Sequence, residues 1–218
     1  VGELDAVLDS VSDDSGPLDA EGLTQVDGLN RALEALADEL DVQTAKELAS
    51  GSVSESTVTS NTVVATKSAT ATTAIAQSID SGTVVAKDSL LDALSSSAKS
   101  SSTASKVLRA TIEVEARSEL LTQNRIILTN SATLFSALAN DDAELTVSET
   151  SKVKEITGNL VSTSNSLAES GDAVSTAYLK EIAVRTNTVL EAQTALGIAA
   201  DTELVEAVSS ASEAIATR

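Results

Sequence analysis

The stretch VLRATIEVEARSELLTQNRIILTNSATLF, residues 107–135, decides how the chain is read. Val107, Val114, Leu121, Leu128 and Phe135 fall seven apart in it, with neither glycine nor proline between them. A seven-residue apolar repeat is the period of a helical packing seam, because two turns of α-helix return a side chain to nearly the same face. From Leu120 onward the seam doubles, as Leu120, Ile127 and Leu134 form a second column beside Leu121, Leu128 and Phe135. One column suits contact with one partner helix, and two suit burial between several.

Working outward, no glycine or proline occurs between Asp88 and Ala139. The pattern therefore predicts one long helix around residues 88–139, a rod of roughly 78 Å. Its weak point is SSSAKSSSTASK, residues 95–106, because serine and threonine hydroxyls compete for the helical backbone. Upstream, Val26, Leu29, Leu33, Leu36 and Leu40 alternate steps of three and four, one apolar stripe with Asp19 placed to cap it. Thr44 and Glu47 have capping-box spacing for a short helix that Gly51 would end. Residues 52–82 mix strand-favouring Thr and Val with helix-favouring Ala, and we read helix from about Thr59 to the break at Gly82.

Downstream, residues 140–146 form a turn, and Thr146 with Glu149 repeats the capping-box spacing. Val153, Ile156, Leu160 and Leu167 carry the next stripe, which Gly171 stops before Asp172 starts another. Leu179, Ile182, Val189 and Leu196 follow, ended by Gly197, and Asp201 opens a last stripe of Leu204, Val208, Ala211 and Ile215. Short turns between such helices favour antiparallel neighbours. The expected fold is all-α, an elongated, coiled-coil-like helical bundle. It divides into an acidic segment at 1–51, a Thr/Ala/Val-rich segment at 52–82 and a main bundle at 83–218.

Composition narrows the chemistry. The 218 residues carry 33 acids against 14 bases, a net charge of −19, which repels phosphate backbones and excludes a nucleic-acid partner. No run approaches the roughly 18 apolar residues of a transmembrane segment. There is no His and no Cys, so Ser–His and Cys–His catalysis and the usual zinc and iron sites have no ligands. Ser96 with Lys99, and Ser151 with Lys154, match S-x-x-K, but serine is frequent enough here for such matches to arise by chance. The acid pairs Asp13/Asp14, Glu113/Glu115 and Asp141/Asp142 read as solvated groups, with no aromatic platform to hold a sugar beside them.

Calcium is the one cofactor the residues leave open. Asp9, Asp13, Asp14, Asp19 and Glu21 gather hard oxygen ligands around Gly16 and Pro17, although their spacing departs from the EF-hand pattern. No motif points to a small-molecule substrate. The lack of any methionine marks a processed form or a fragment, and the freedom from oxidisable Cys and Met fits an extracellular or cell-surface home.

A structural role follows, with the seam at Val107, Val114, Leu121, Leu128 and Phe135 packing helices of a self-assembling filament or layer subunit. The rival reading is a helical stalk or interaction module from a larger surface protein. Residues 1–50 hold 13 acids and two bases while residues 53–112 hold four acids and five bases. That asymmetry favours pairing the acidic part of one subunit with the near-neutral part of its neighbour, giving a head-to-tail polymer that screening by salt or divalent cations would strengthen.

Overall fold

The computed structural model describes residues 18–108, 114–140, 144–169 and 175–199, together with 202, 205, 206 and 209. Their elements are α1 (Ala20–Ala49), α2 (Glu55–Asp80), α3 (Lys87–Leu108), α4 (Val114–Asn140), α5 (Val147–Glu169) and α6 (Thr176–Ala195), and no strand occurs among the described residues. The all-helical expectation holds, including over residues 55–80, where threonine and valine had argued for strand. None of these helices is long and apolar enough to cross a membrane.

Side-chain contacts reveal the topology. Between α1 and α3 the partners keep a nearly constant separation: Asp27 with Ser89, Arg31 with Asp92, Glu34 with Ser95, Asp41 with Thr103. Two helices whose contacts advance together run parallel. Asp92 with Lys152 and Lys99 with Glu155 extend that direction from α3 to α5. Leu121 with Tyr178 and Arg125 with Glu181 do the same from α4 to α6. By contrast, Leu18 meets Ser78 and Gln43 meets Thr57, so α1 and α2 are antiparallel. The described residues thus form three antiparallel hairpins, α1/α2, α3/α4 and α5/α6, stacked side by side, with α1, α3 and α5 in one layer and α2, α4 and α6 in the other.

One expectation fails outright: residues 88–139 are two helices, α3 and α4, lying side by side. Ser101 Oγ donates to Asn124 Oδ1 at 2.8 Å, whereas a single straight helix would hold residues so spaced roughly 35 Å apart. The serine-rich run is not the break. It lies in the middle of α3, the central helix, which packs against α1, α2, α4 and α5. The hydroxyls that were expected to disrupt it turn back onto their own helix. Ser97 donates to the Leu94 carbonyl (3.1 Å), Ser100 to that of Ser96 (2.6 Å) and Ser105 to that of Ser102 (2.7 Å). Satisfied in this way, a small hydroxyl can be buried at little cost, and its size lets four helices close around α3.

Helix ends follow from local chemistry. Asp19 caps α1, accepting from Gly22 N at 2.8 Å. Thr146 and Glu149 form a reciprocal capping box at α5, with Thr146 N donating to Glu149 Oε2 (2.6 Å) and Glu149 N to Thr146 Oγ1 (3.2 Å). Thr44 and Glu47 do not form one, because α1 runs unbroken through them. Thr44 is buried and accepts from Asn61 of α2, while Glu47 takes the backbone N–H of Ser54 (2.7 Å) and so braces the start of α2. That bracing, with Ser54 itself as N-cap, is why α2 begins at Glu55 rather than near Thr59. Gly51 and Gly82 end α1 and α2 at φ +89° and +88°, a left-handed turn that other residues adopt only under strain.

The core is aliphatic. Val26, Leu29, Leu33 and Leu40 are buried on α1, Val153, Ile156, Leu160 and Leu167 on α5, and Leu179, Ile182 and Val189 on α6. Of the opening seam, Val107, Leu128 and Phe135 are fully buried and Leu121 is partly so, while the Val114 side chain lies outside the described residues. The column beside it, Leu120, Ile127 and Leu134, is also fully buried. Tyr178, the single tyrosine, donates its hydroxyl to the Leu121 carbonyl and so joins α6 to α4. The stop at Gly171 and start at Asp172 lie outside the described residues, as do the side chains of Leu204, Val208, Ala211 and Ile215.

Leu128→Ala should destabilise the protein by about 2–5 kcal/mol, the range for emptying a fully packed leucine site. Leu121→Ala, at a partly exposed position, should cost clearly less. Denaturant unfolding of the two variants beside the parent checks both; equal midpoints would contradict the burial order.

Candidate functional site

Within α3, residues 89–106 contain three charges, Asp92, Lys99 and Lys106, spaced seven apart. They are the positions of that run that are not buried, so they line a narrow slit between α1 and α5. Each is held by charges from the flanking helices. Asp92 takes Arg31 Nε at 2.9 Å from one side and Lys152 Nζ at 2.7 Å from the other. Lys99 Nζ reaches Glu34 and Asp38 of α1, both at 3.1 Å, and Glu155 of α5 at 3.4 Å. Lys106 pairs with Asp41. The signs alternate along the slit: a carboxylate between two cations, then an ammonium among three carboxylates.

Below the charges lies a row of hydroxyls. Ser89 donates to Asp27 at 2.8 Å, Ser95 to Glu34 at 2.8 Å and Ser96 to Asn30 at 3.1 Å. Asp27, Glu34, Asp38 and Asp41 of α1 therefore meet the near-neutral, lysine-bearing part of the same chain. The complementarity expected between neighbouring subunits is met inside one fold.

The surroundings of Lys99 and Asp92 favour their charged forms. Burial pulls the Lys99 ammonium down, but hydrogen bonds to Asp38 and Glu34 more than reverse that and hold it above its ordinary range. Burial likewise works to raise Asp92, and Lys152 and Arg31 outweigh it, leaving the carboxyl below its usual value. Both shifts run away from neutral pH, opposite to the direction that would suit either group to general acid–base catalysis. Exposed ion pairs contribute about 0.2–1 kcal/mol each, so the slit does more for register than for total stability.

The other expected site residues are scattered. Ser96 is buried and bonded to Asn30 Oδ1 and the Ala93 carbonyl, with Lys99 turned to the carboxylates, so no serine–lysine pair forms there. Ser151 and Lys154 are both exposed on α5. Of the calcium candidates, Asp9, Asp13 and Asp14 lie outside the described residues, Asp19 is occupied as a helix cap, and Glu21 is exposed in the first turn of α1. No group of three acids is placed to hold a metal ion among the described residues.

Sequence reasoning passed over the slit, although its signal was plain: Asp92, Lys99 and Lys106 share one heptad column in an otherwise uncharged run. Comparison with protein-family models, curated proteins and solved structures yields no match.

Two carboxylates outside the slit are also held below their usual range. Glu149, beside Lys87 (2.9 Å) and the Thr146 N–H, is held down from 4.5 to about 2. Glu47 is lowered equally, first by the Ser54 N–H and then by Gln43 and Thr57. Their folded pKa values lie below the unfolded ones, so their stabilisation is complete above pH 4.5 and is lost as pH falls toward 2. The thermal midpoint should therefore fall across that window. Glu149→Gln, which keeps the cap but not the charge, should flatten the fall; an unchanged profile would show that the Lys87 pair does not act.

Proposed function

We propose that the chain is a structural subunit that packs with copies of itself, through heptad-spaced helical seams, into a filament or layer at the cell surface or outside the cell. The observation that carries this reading is the order of the hairpins. Each joins the next through unlike faces, with parallel helices in both layers, and among the described residues the stack contains no element that closes it. Its charged side chains support the reading too, because the most convergent cluster of them serves to hold α1, α3 and α5 in register. Freedom from cysteine and methionine suits exposure to oxidants. A charge of −19 keeps free subunits apart until the repulsion is screened.

Sedimentation velocity over a concentration series, at low and high ionic strength and with or without calcium, tests the proposal. The mean mass should rise with concentration, more steeply at the higher ionic strength. A protein that stays monomeric at millimolar concentration in every condition would favour the helical stalk or interaction-module reading instead.

A further inference from the structure

The hairpin stack is also a sequence repeat. Residues 60–76, SNTVVATKSATATTAIA, align without gaps on residues 123–139, QNRIILTNSATLFSALA, at a separation of 63. Asn61/Asn124, Thr66/Thr129, Ser68/Ser131, Ala69/Ala132, Thr70/Thr133, Ala74/Ala137 and Ala76/Ala139 are identical. Burial follows the same period, with Thr57, Asn61, Val64, Ser68 and Ile75 of α2 buried exactly as Leu120, Asn124, Ile127, Ser131 and Leu138 of α4. The first layer keeps step as well: Leu90, Ala93, Ser97 and Ala104 of α3 correspond to Val153, Ile156, Leu160 and Leu167 of α5, all buried. A separation of nine heptads preserves which face of each helix points where.

This period identifies what the outer hairpins lack. Ala98 of α3 and Val161 of α5 are buried, as are Ser105 and Ala168, and each of those helices has a layer-mate before it. The equivalent residues on α1, which has none among the described residues, are Ala35 and Val42, both exposed, Val42 by 72%. At the other flank, Leu128 of α4 is fully buried and Leu121 partly so, while their equivalents on α6, Val184 and Glu191, are exposed, Val184 by 65%. The large exposed apolar residues on helices α1 to α6 are Val42, Leu48, Val63, Val147 and Val184. All lie on the first and last hairpins, and none on α3 or α4.

We infer that a second copy of this chain docks its α1/α2 edge, marked by Val42 and Val63, on the α5/α6 edge marked by Val184, repeating between chains the contact that already joins hairpin to hairpin within one. This rests on the assembly reading and names the surfaces it uses. The two edges are different, so each chain offers one of each and the contact propagates without closing.

Val42→Glu and Val184→Glu test it, both at exposed positions and both checked for retained helix by circular dichroism, with Val63→Glu as a second variant of the first edge. Each variant alone should stay monomeric under conditions in which the parent chain assembles. An equimolar mixture of Val42→Glu and Val184→Glu retains one intact edge of each kind and should form a dimer that grows no further. Three results overturn the inference while leaving self-assembly intact: variants that polymerise like the parent, a mixture that stays monomeric, or Val184→Glu dimerising alone, which would mean like-with-like pairing. A parent chain that never assembles overturns both.

Discussion

Everything in this fold depends on how closely four helices can approach a fifth. Helix α3 is surrounded, and a surrounded helix built from leucine would hold its neighbours further away. Serine and alanine keep the walls near the α3 backbone, so dispersion contacts replace the volume that large side chains would fill. The condition is that no buried hydroxyl of α3 goes unanswered. Bonds from Ser97, Ser100 and Ser105 back to their own helix meet it locally. Ser95, Ser96 and Ser101 meet it by reaching Glu34, Asn30 and Asn124, so the same residues that allow close approach also name their partners.

Small side chains specify position poorly, since one serine looks much like the next after a shift of one turn. The charges supply what they lack. Sliding α1 along α3 by seven residues would set Arg31 against Lys99 in one direction and Asp38 against Asp92 in the other. Repulsion then opposes the slip while attraction favours the native register. Buried amides act alike: Asn61 donates to Thr44 across the first hairpin at 3.2 Å, and Asn124 accepts from Ser101 across the second at 2.8 Å. Polar groups in such places fix register more than they add stability.

These two devices explain which parts of the fold were readable from residues alone. Stripes of leucine, valine and isoleucine announce their faces, so Val26 through Leu40 and Leu179 through Val189 were read correctly, as were the Asp19 cap and the Thr146–Glu149 box. Helix α3 was misread because hydrophobicity is the usual sign of burial and serine carries none. Its burial comes from size, together with hydrogen bonds that exist only once the neighbours are in place. The division of residues 88–139 was hidden for the same reason, as no glycine or proline marks it and the Ser101–Asn124 contact is tertiary. Thr44 and Glu47 show the converse: a correct capping pattern overridden by a helix that tertiary packing carried through. The slit charges and the 63-residue period were visible in principle, but only to a reader comparing the chain with itself.

Tyr178 gives the molecule an unplanned optical property. With one tyrosine, one phenylalanine and no tryptophan, nearly all of its long-wavelength ultraviolet absorbance and emission comes from a single phenol. That phenol is bonded to the Leu121 carbonyl at the joint between α4 and α6, and burial keeps its proton in place well into the alkaline range. Intrinsic fluorescence of the unlabelled protein therefore reports on one joint and is blind to the serine helix at its centre. Loss of the third hairpin would be seen at once, whereas loosening of the first would leave the signal dark.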